Sequence, residues 1–268
     1  MFEALPEADE AVRALMDEAS GWLVSRGAVA ARAGFGLMDL PFAMDAYEAL
    51  PPSILRQNPP YYHRLLKHAR FEVEQGWVDY KAPVTADLLA RWERALEGAR
   101  RSGYAIVPAG EIPRGRRVRE LTETWADTFK AHWGFVSFTE DELGYLLDAW
   151  EPAGLLETAM VAYEGEDPVG MCLVVPDEPA HAVLAPGRVL DDSERLNMLA
   201  IGVRERARGR GLNYAVAAAS FLALARRGAP YVSYTLVLDH NWPSRRTGEG
   251  LGATLCANYL TYRRRFRG

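Results

Sequence analysis

One stretch constrains this chain more than any other. An apolar run from Leu196 to Val203 passes into Arg204-Glu-Arg-Ala-Arg-Gly-Arg-Gly211, and Leu212 to Arg227 then carries apolar residues on most faces of a helix. A strand that feeds a short turn and then a mostly buried helix needs a sheet for that helix to lie on. The turn has a chemistry of its own. A helix start leaves backbone N–H groups without intrahelical partners, at the positive end of the helix dipole. Gly209 and Gly211 let the backbone approach an anion closely, and Arg206, Arg208 and Arg210 add positive charge. Together they suit a phosphate or pyrophosphate. A solvated basic turn capping a helix accounts for the same residues equally well. Two familiar phosphate loops do not fit: there is no Gly-Lys-Ser/Thr, and Tyr214 fills the place of the third small residue of a dinucleotide fingerprint.

The rest of the chain surrounds this stretch with alternating elements. Helices are expected over Asp9–Ser25, Tyr61–Ala69, Thr85–Arg101, Arg116–Trp133, Thr139–Trp150 and Trp242–Leu251. Thr85 is a fair N-cap, and Thr139 with Glu142 makes a capping box. Strands are expected within 28–37 and over Phe71–Tyr80, Tyr104–Pro108, Glu157–Tyr163, Val169–Pro176, Leu196–Val203, Tyr231–Asp239 and Ala253–Arg265. Glu164-Gly165-Glu166-Asp167-Pro168 reads as a hairpin loop longer than the tightest kind. Leu50 to Pro60, with its four prolines, reads as loop. The order gives an α/β class, a mixed sheet flanked by helices.

Composition excludes several function classes. With 268 residues and 49% hydrophobic content, the chain can bury a core, and disorder is not its dominant state. A net charge of −5 argues against a dedicated nucleic-acid binder. Cys172 and Cys256 read as buried thiols in a reducing compartment, and no metal-ligand spacing surrounds them. The start, MFEALPEADE, shows no signal peptide, and the longest nearly apolar run, Tyr214 to Ala225, is too short for a membrane span. The expected location is cytoplasmic, without a membrane partner.

Val203-Arg-Glu-Arg-Ala-Arg-Gly-Arg-Gly-Leu212 resembles motif A of the GNAT N-acetyltransferase superfamily, in which a fourth strand ends in Val before Arg/Gln-x-x-Gly-x-Gly/Ala; Arg206, Gly209 and Gly211 match the fixed positions. Asp239-His-Asn241-Trp-Pro-Ser244 with Leu251-Gly252 resembles motif B. The resemblance covers about residues 116–265. His132-Trp-Gly-Phe and Asn58-Pro-Pro-Tyr-Tyr-His-Arg-Leu-Leu are similar to segments of bacterial tandem GNAT proteins. This implies a partial, degenerate GNAT-like module over 1–82, helix-strand-helix-strand, and a complete GNAT domain over 83–268.

The resemblance implies a reaction: acetyl transfer from acetyl-CoA to a primary amine of a small-molecule acceptor, with no metal. The backbone of Leu199, Ile201 and Val203 would pair with the pantetheine arm as an added strand. The amides of Arg208, Gly209, Arg210, Gly211 and Leu212 would hold the pyrophosphate, and Asn241 and Ser244 would lie beside the arm. Many relatives place an acidic Tyr seven residues after the motif-B Asn; here that position is Gly248. Candidate acid–base groups are Glu194, Asp239 and Tyr259, with Tyr262 beside the last. The bland alternatives are a solvated charge for Glu194 and Asp239 and strand packing for the tyrosines. His63 and His68, five apart, do not make a zinc pair and read as surface or packing residues. His132 reads as an ordinary helix-end histidine, and Arg263 to Arg267 as a solvated strand end. Two other functions stay open: a non-catalytic acyl-CoA-binding module, and a transferase drawing on another acyl donor such as aminoacyl-tRNA. A truncated first module would also leave a sheet edge open to a homodimer.

Overall fold

The structure is a computed structural model that describes residues 3–34, 41–47, 58–152, 154–176 and 197–266. Its elements run α1 (Asp9–Val24), β1 (Ala30–Ala33), β2 (Phe42–Ala43), α2 (Tyr62–His68), β3 (Glu72–Pro83), α3 (Ala86–Arg101), β4 (Tyr104–Pro108), α4 (Arg114–Phe129), α5 (Glu140–Trp150), β5 (Met160–Glu164), β6 (Asp167–Pro176), β7 (Asn197–Val203), α6 (Leu212–Arg226), β8 (Tyr231–Leu238), α7 (Trp242–Gly250) and β9 (Thr254–Arg265). The class is the expected mixed α/β. Most of the loop expected over Leu50–Pro60 lies outside the described residues.

Local chemistry sets many of the boundaries. The Thr85 hydroxyl accepts the Leu88 N–H and starts α3. At α5, Thr139 and Glu142 bond reciprocally in the capping box. Gly228, at φ +87°, follows the end of α6 in a conformation that favours glycine. The β5–β6 hairpin is tighter than expected: Glu164 pairs with Asp167, so only Gly165 and Glu166 turn the chain, and Gly165 takes φ +64°. Strand β3 is longer than expected and continues through Pro83.

Compactness divides the chain into two units, and the division does not follow chain order. One unit comprises Met1–Asp79, Leu236–Trp242 and Leu255–Gly268; the other comprises Tyr80–Thr235 and Pro243–Thr254. In the first, β1, most of β3, the end of β8 and most of β9 belong to a sheet ordered β1-β9-β3-β8, with β2 also on β9. β9 runs antiparallel to β1 and β2, pairing Ala33 with Tyr262 and Phe42 with Leu260. Its core gathers Val12, Phe42, Tyr62, Leu65, Leu66, Phe71 and Tyr262.

The second unit holds the antiparallel sheet β4-β5-β6-β7. Leu121, Leu143, Leu147, Leu156, Val161 and Met171 form the core between this sheet and the helices α4 and α5. α6 is buried on nearly every side, from Leu212 through Leu224, as its apolar circumference demands. Cys172 is buried and burial raises its thiol to about 12; Cys256 is exposed, which corrects its reading as a buried thiol. Position 256 falls in an apolar run, but its strand is exposed over Thr254–Cys256. Among the described residues no group of His, Cys, Asp or Glu could hold a metal ion, and no helix is long and apolar enough to cross a membrane.

Candidate functional site

In the second unit, β7 leaves the sheet at Val203 and the chain makes one 3-10 turn, Glu205–Ala207, before α6. Gly209 and Gly211 take φ +77° and +76°, and Gly211 is the N-cap of α6. Positive φ is the reason both are glycine. A Cβ built on either would meet nothing within 4 Å, so the space above this backbone is open. Among the described residues the N–H groups from Gly209 to Tyr214 make no hydrogen bond; the first bond back into the turn is Ala215 N–H to the Gly211 carbonyl, 3.1 Å. Unengaged amides at a helix start are donors that an anion can use.

The turn's arginines are committed elsewhere. Arg208 Nε donates to the Val203 carbonyl (3.0 Å), Arg206 pairs with Asp167 (2.9 Å), and Arg210 reaches the Tyr104 hydroxyl and Glu164 (3.1 and 3.2 Å). These bonds brace the loop against the sheet and leave the amides to face outward.

Strand parity decides which groups β7 offers at its other edge. Arg204 N–H donates to the Val169 carbonyl (2.8 Å), and the register pairs Gly170 with Val203 and Met171 with Gly202. Backbone groups alternate along an antiparallel strand. Gly202 and Ala200 therefore turn their N–H and C=O toward β6, and Leu199, Ile201 and Val203 turn theirs to the opposite edge. Among the described residues no strand pairs with that edge: β7 ends its sheet, and β8 belongs to the other. Gly202 is obligatory for packing, because a Cβ there would overlap the Thr128 side chain.

The remaining expected site residues fall in different surroundings. Ser244, on α7, shares a hydrogen bond with the Tyr234 hydroxyl (2.8 Å). Gly248 faces the rings of Tyr234 and Tyr80, 3.4 and 3.5 Å from where its Cβ would stand. Tyr80 is held by Arg245 Nε (2.8 Å), and its hydroxyl donates to Glu249 (3.4 Å). Two β8 hydroxyls, Ser233 and Thr235, are buried without hydrogen-bond partners among the described residues.

In the first unit, Asn241 N–H bonds the Leu238 carbonyl (2.9 Å). Asp239 Oδ1 accepts from Gln75 Nε2 (3.1 Å) and lies 3.2 Å from His240 Nδ1. Tyr259 is buried, and its phenol donates to the Asp79 carboxylate. The phenol is pushed far above its ordinary range, first by burial and then by that carboxylate. Burial raises Asp79 to about 7 against the opposing bonds from Leu236 N–H (2.8 Å) and Tyr259. Leu236 itself adopts φ +54°, a strained conformation for leucine. Tyr262 packs in the core with its hydroxyl 2.6 Å from His63 Nδ1, while His68 meets Glu10 (3.0 Å), so both histidines serve structure. Glu194 lies outside the described residues. Asp79, Gln75 and His240 were not singled out from sequence. His240 was legible only as the residue between Asp239 and Asn241, and nothing near Asp79 in sequence marks it.

No protein-family model matches the sequence, and no curated protein matches it. Solved structures do match. A GCN5-related N-acetyltransferase from Sphaerobacter thermophilus superposes with a TM-score of 0.52 at 17% identity, over 80% of this chain and 59% of that one. A GCN5-related glucosamine N-acetyltransferase region of a fungal multi-domain GH3 beta-N-acetylglucosaminidase gives 0.57 at 15% identity, over 92% of this chain and 27% of that one. A tandem GNAT protein from the clavulanic acid biosynthesis pathway gives 0.52 at 11% identity, over 94% and 69%. The chain thus spans less than two thirds of the first two of these proteins. The strand, glycine turn and buried helix, set beside these superpositions, identify the fold of this chain as that of the GCN5-related N-acetyltransferases.

Proposed function

We propose that this chain is an acyltransferase that moves the acetyl group of acetyl-CoA to a primary amine of a small acceptor. The observation that carries the reading is the run of unengaged amides from Gly209 to Tyr214, at two left-handed glycines under open space. A pyrophosphate suits those amides by charge and by donor count. The outward backbone groups of Leu199, Ile201 and Val203 suit an amide-bearing arm laid along β7 as an added strand. The expected Arg208 amide is not available, because its N–H donates to the Glu205 carbonyl (3.1 Å); we assign the amides of Gly209 through Leu212 to the pyrophosphate, and Asn241 and Ser244 to the arm.

The chemistry asks little of the protein beyond orientation and proton transfer. An alkyl ammonium titrates near ~10, so a base must take its proton before the nitrogen attacks the thioester carbon. An outward-facing N–H of β7 would stabilise the oxyanion. The likeness of fold to a tandem GNAT protein over 94% of the chain supports reading residues 1–82 as a partial module and 83–268 as the acyl-transfer domain. The proposed location is cytoplasmic.

One observation favours a second reading, an acyl-CoA binder without turnover: Gly248 stands against two tyrosine rings where many relatives carry an acid. Against a tRNA-linked donor, the basic side chains of the turn and of the last strand are largely paired, Arg206 with Asp167, Arg210 with Glu164, Arg263 with Glu74 and Arg264 with Asp17. Calorimetric titration with acetyl-CoA and with CoA tests the proposal. Micromolar binding is expected for the wild type, and loss of it for Gly209→Val and Gly211→Val. Thiol release from acetyl-CoA with a panel of amines, including an amino sugar, then separates enzyme from binder. No binding by the wild type would end both readings.

A further inference from the structure

A small cavity lies wholly in the second unit, beside the end strand β4 and the start of α4. Its volume is about 320 Å³, near the lower end of the ~300–1,000 Å³ typical of small-molecule sites. One part of its lining is aliphatic. Ala105 and Val107 lie on one face of β4, which Tyr163 shares across the register, and Ile112 and Pro113 add to it from the turn before α4. A cation lines the same cavity. Arg116 Nε donates to Glu120 Oε1 (2.6 Å), and the other Glu120 oxygen accepts the Tyr163 hydroxyl (2.5 Å). Glu120 and Tyr163 are both buried, so the guanidinium is held from within. Its two terminal nitrogens make no hydrogen bond among the described residues. A guanidinium fixed through Nε, with its outer donors unengaged, suits a carboxylate.

Glu111 and Glu166 also line the cavity, and neither makes a hydrogen bond or ion pair among the described residues. Both stand on fixed backbone. Glu111 ends a 3-10 turn, where the Ala109 and Ile112 carbonyls accept from Nη1 of the buried Arg117 (3.4 and 3.5 Å). Glu166 sits in the two-residue turn of the β5–β6 hairpin. The residues that flank it, Glu164 and Asp167, pair in the ladder and meet Arg210 (3.2 Å) and Arg206 (2.9 Å). The cavity therefore offers a cation, two carboxylates and an aliphatic surface in one small volume. A simple carboxylic acid would bring its charge near two carboxylates. A simple amine would bring its charge near a guanidinium. A zwitterion gives each of these groups its opposite charge, and a short apolar side chain suits the rest of the lining.

We propose that this cavity binds a free α-amino acid with a small aliphatic side chain. Its carboxylate takes the outer N–H groups of Arg116, and its ammonium group is matched by Glu111 and Glu166. Its side chain lies on Ala105, Val107, Ile112 and Pro113. Glu120 and Tyr163 are positioning residues, because they hold the guanidinium without meeting the ligand's charge. The site does not depend on the acyl-transfer function proposed above.

Calorimetric titration of the full chain with L-valine and L-leucine tests the site. Binding with a Kd of ~1 mM or tighter is expected. The matching acids (isovalerate, 4-methylpentanoate) and amines (isobutylamine, isopentylamine) each lack one charge and should bind at least ~10-fold more weakly. Arg116→Gln and Glu166→Gln should each weaken L-valine and L-leucine by ~10-fold or more, with the melting temperature unchanged. Glu166 lies in an exposed hairpin turn, so its variant still decides the matter if Arg116→Gln disturbs the fold. No binding of either amino acid at ~10 mM overturns the proposal. So does an acid or an amine that binds as tightly as its amino acid, which would mean that only one of the two charges is read. Wild-type affinity in Glu166→Gln, or in a folded Arg116→Gln, overturns it too, because the amino acid would then sit elsewhere on the chain.

Discussion

Replacing Asp79 with asparagine should stabilise this protein at alkaline pH and do almost nothing once acid protonates this carboxyl in the unfolded chain as well. The Asp79 carboxyl is 3% exposed and has two donors, the Leu236 N–H and the Tyr259 phenol, but no cation among its bonded partners. Burial dominates and raises it from 3.8 to about 7. The sign follows from linkage. The folded state holds this proton more tightly than the unfolded chain, so stability is fully present below the unfolded value and is lost as pH rises through the folded one. At about 1.4 kcal/mol per pH unit, the interval between 3.8 and about 7 corresponds to a loss of ~4 kcal/mol above pH 8. Asparagine has the same shape and never ionises. Its carbonyl can accept the Leu236 N–H, and its amide can donate to the Tyr259 oxygen. Urea denaturation of both proteins at pH 5, 7 and 9 reads the effect directly. About a third of the loss has already occurred at pH 5, so the advantage of Asp79→Asn should grow by ~3 kcal/mol from pH 5 to 9. A constant difference across that range, or a variant that loses ground as pH rises, would refute the account of Asp79 as a buried carboxyl without a counter-charge.

Other perturbations probe the second unit. Gly202→Ala places a methyl against the Thr128 side chain and should cost ~1–3 kcal/mol, read as a lowered urea midpoint with an unchanged slope. Thr235→Val removes a buried hydroxyl that has no hydrogen-bond partner among the described residues while keeping the shape, and should raise stability by ~1 kcal/mol; a loss instead would show that the hydroxyl is satisfied in solution. Gly211→Val forces a β-branched residue to φ +76° and should cost ~1–2 kcal/mol of stability on top of abolishing acetyl-CoA binding, and a variant melting with the wild type would mean the turn relaxes freely.

The amino-acid order determined those features that local chemistry writes. Caps at Thr85 and Thr139, the apolar circumference of α6 and the glycines of its leading turn each depend on neighbours within a few residues. That was enough to outline the elements, the fold and the candidate pyrophosphate cradle. Alternation along β7 even separates Leu199, Ile201 and Val203 from their neighbours, although only the pairing of Arg204 with Val169 shows which set faces away from β6. What the tertiary structure alone decided depends on residues far apart in the chain. Leu255–Gly268 joins the N-terminal unit because β9 pairs with β1 and β2 more than two hundred residues earlier. Asp79 meets Tyr259, and Gln75 meets His240, only because strands β3, β8 and β9 lie in one sheet. Cys256 is exposed despite its apolar neighbours, since the pleat and the partners of a strand set its burial. Periodicity and capping act over a few residues of chain, whereas acid–base chemistry is made by side chains that only the pairing of distant strands brings within hydrogen-bond reach.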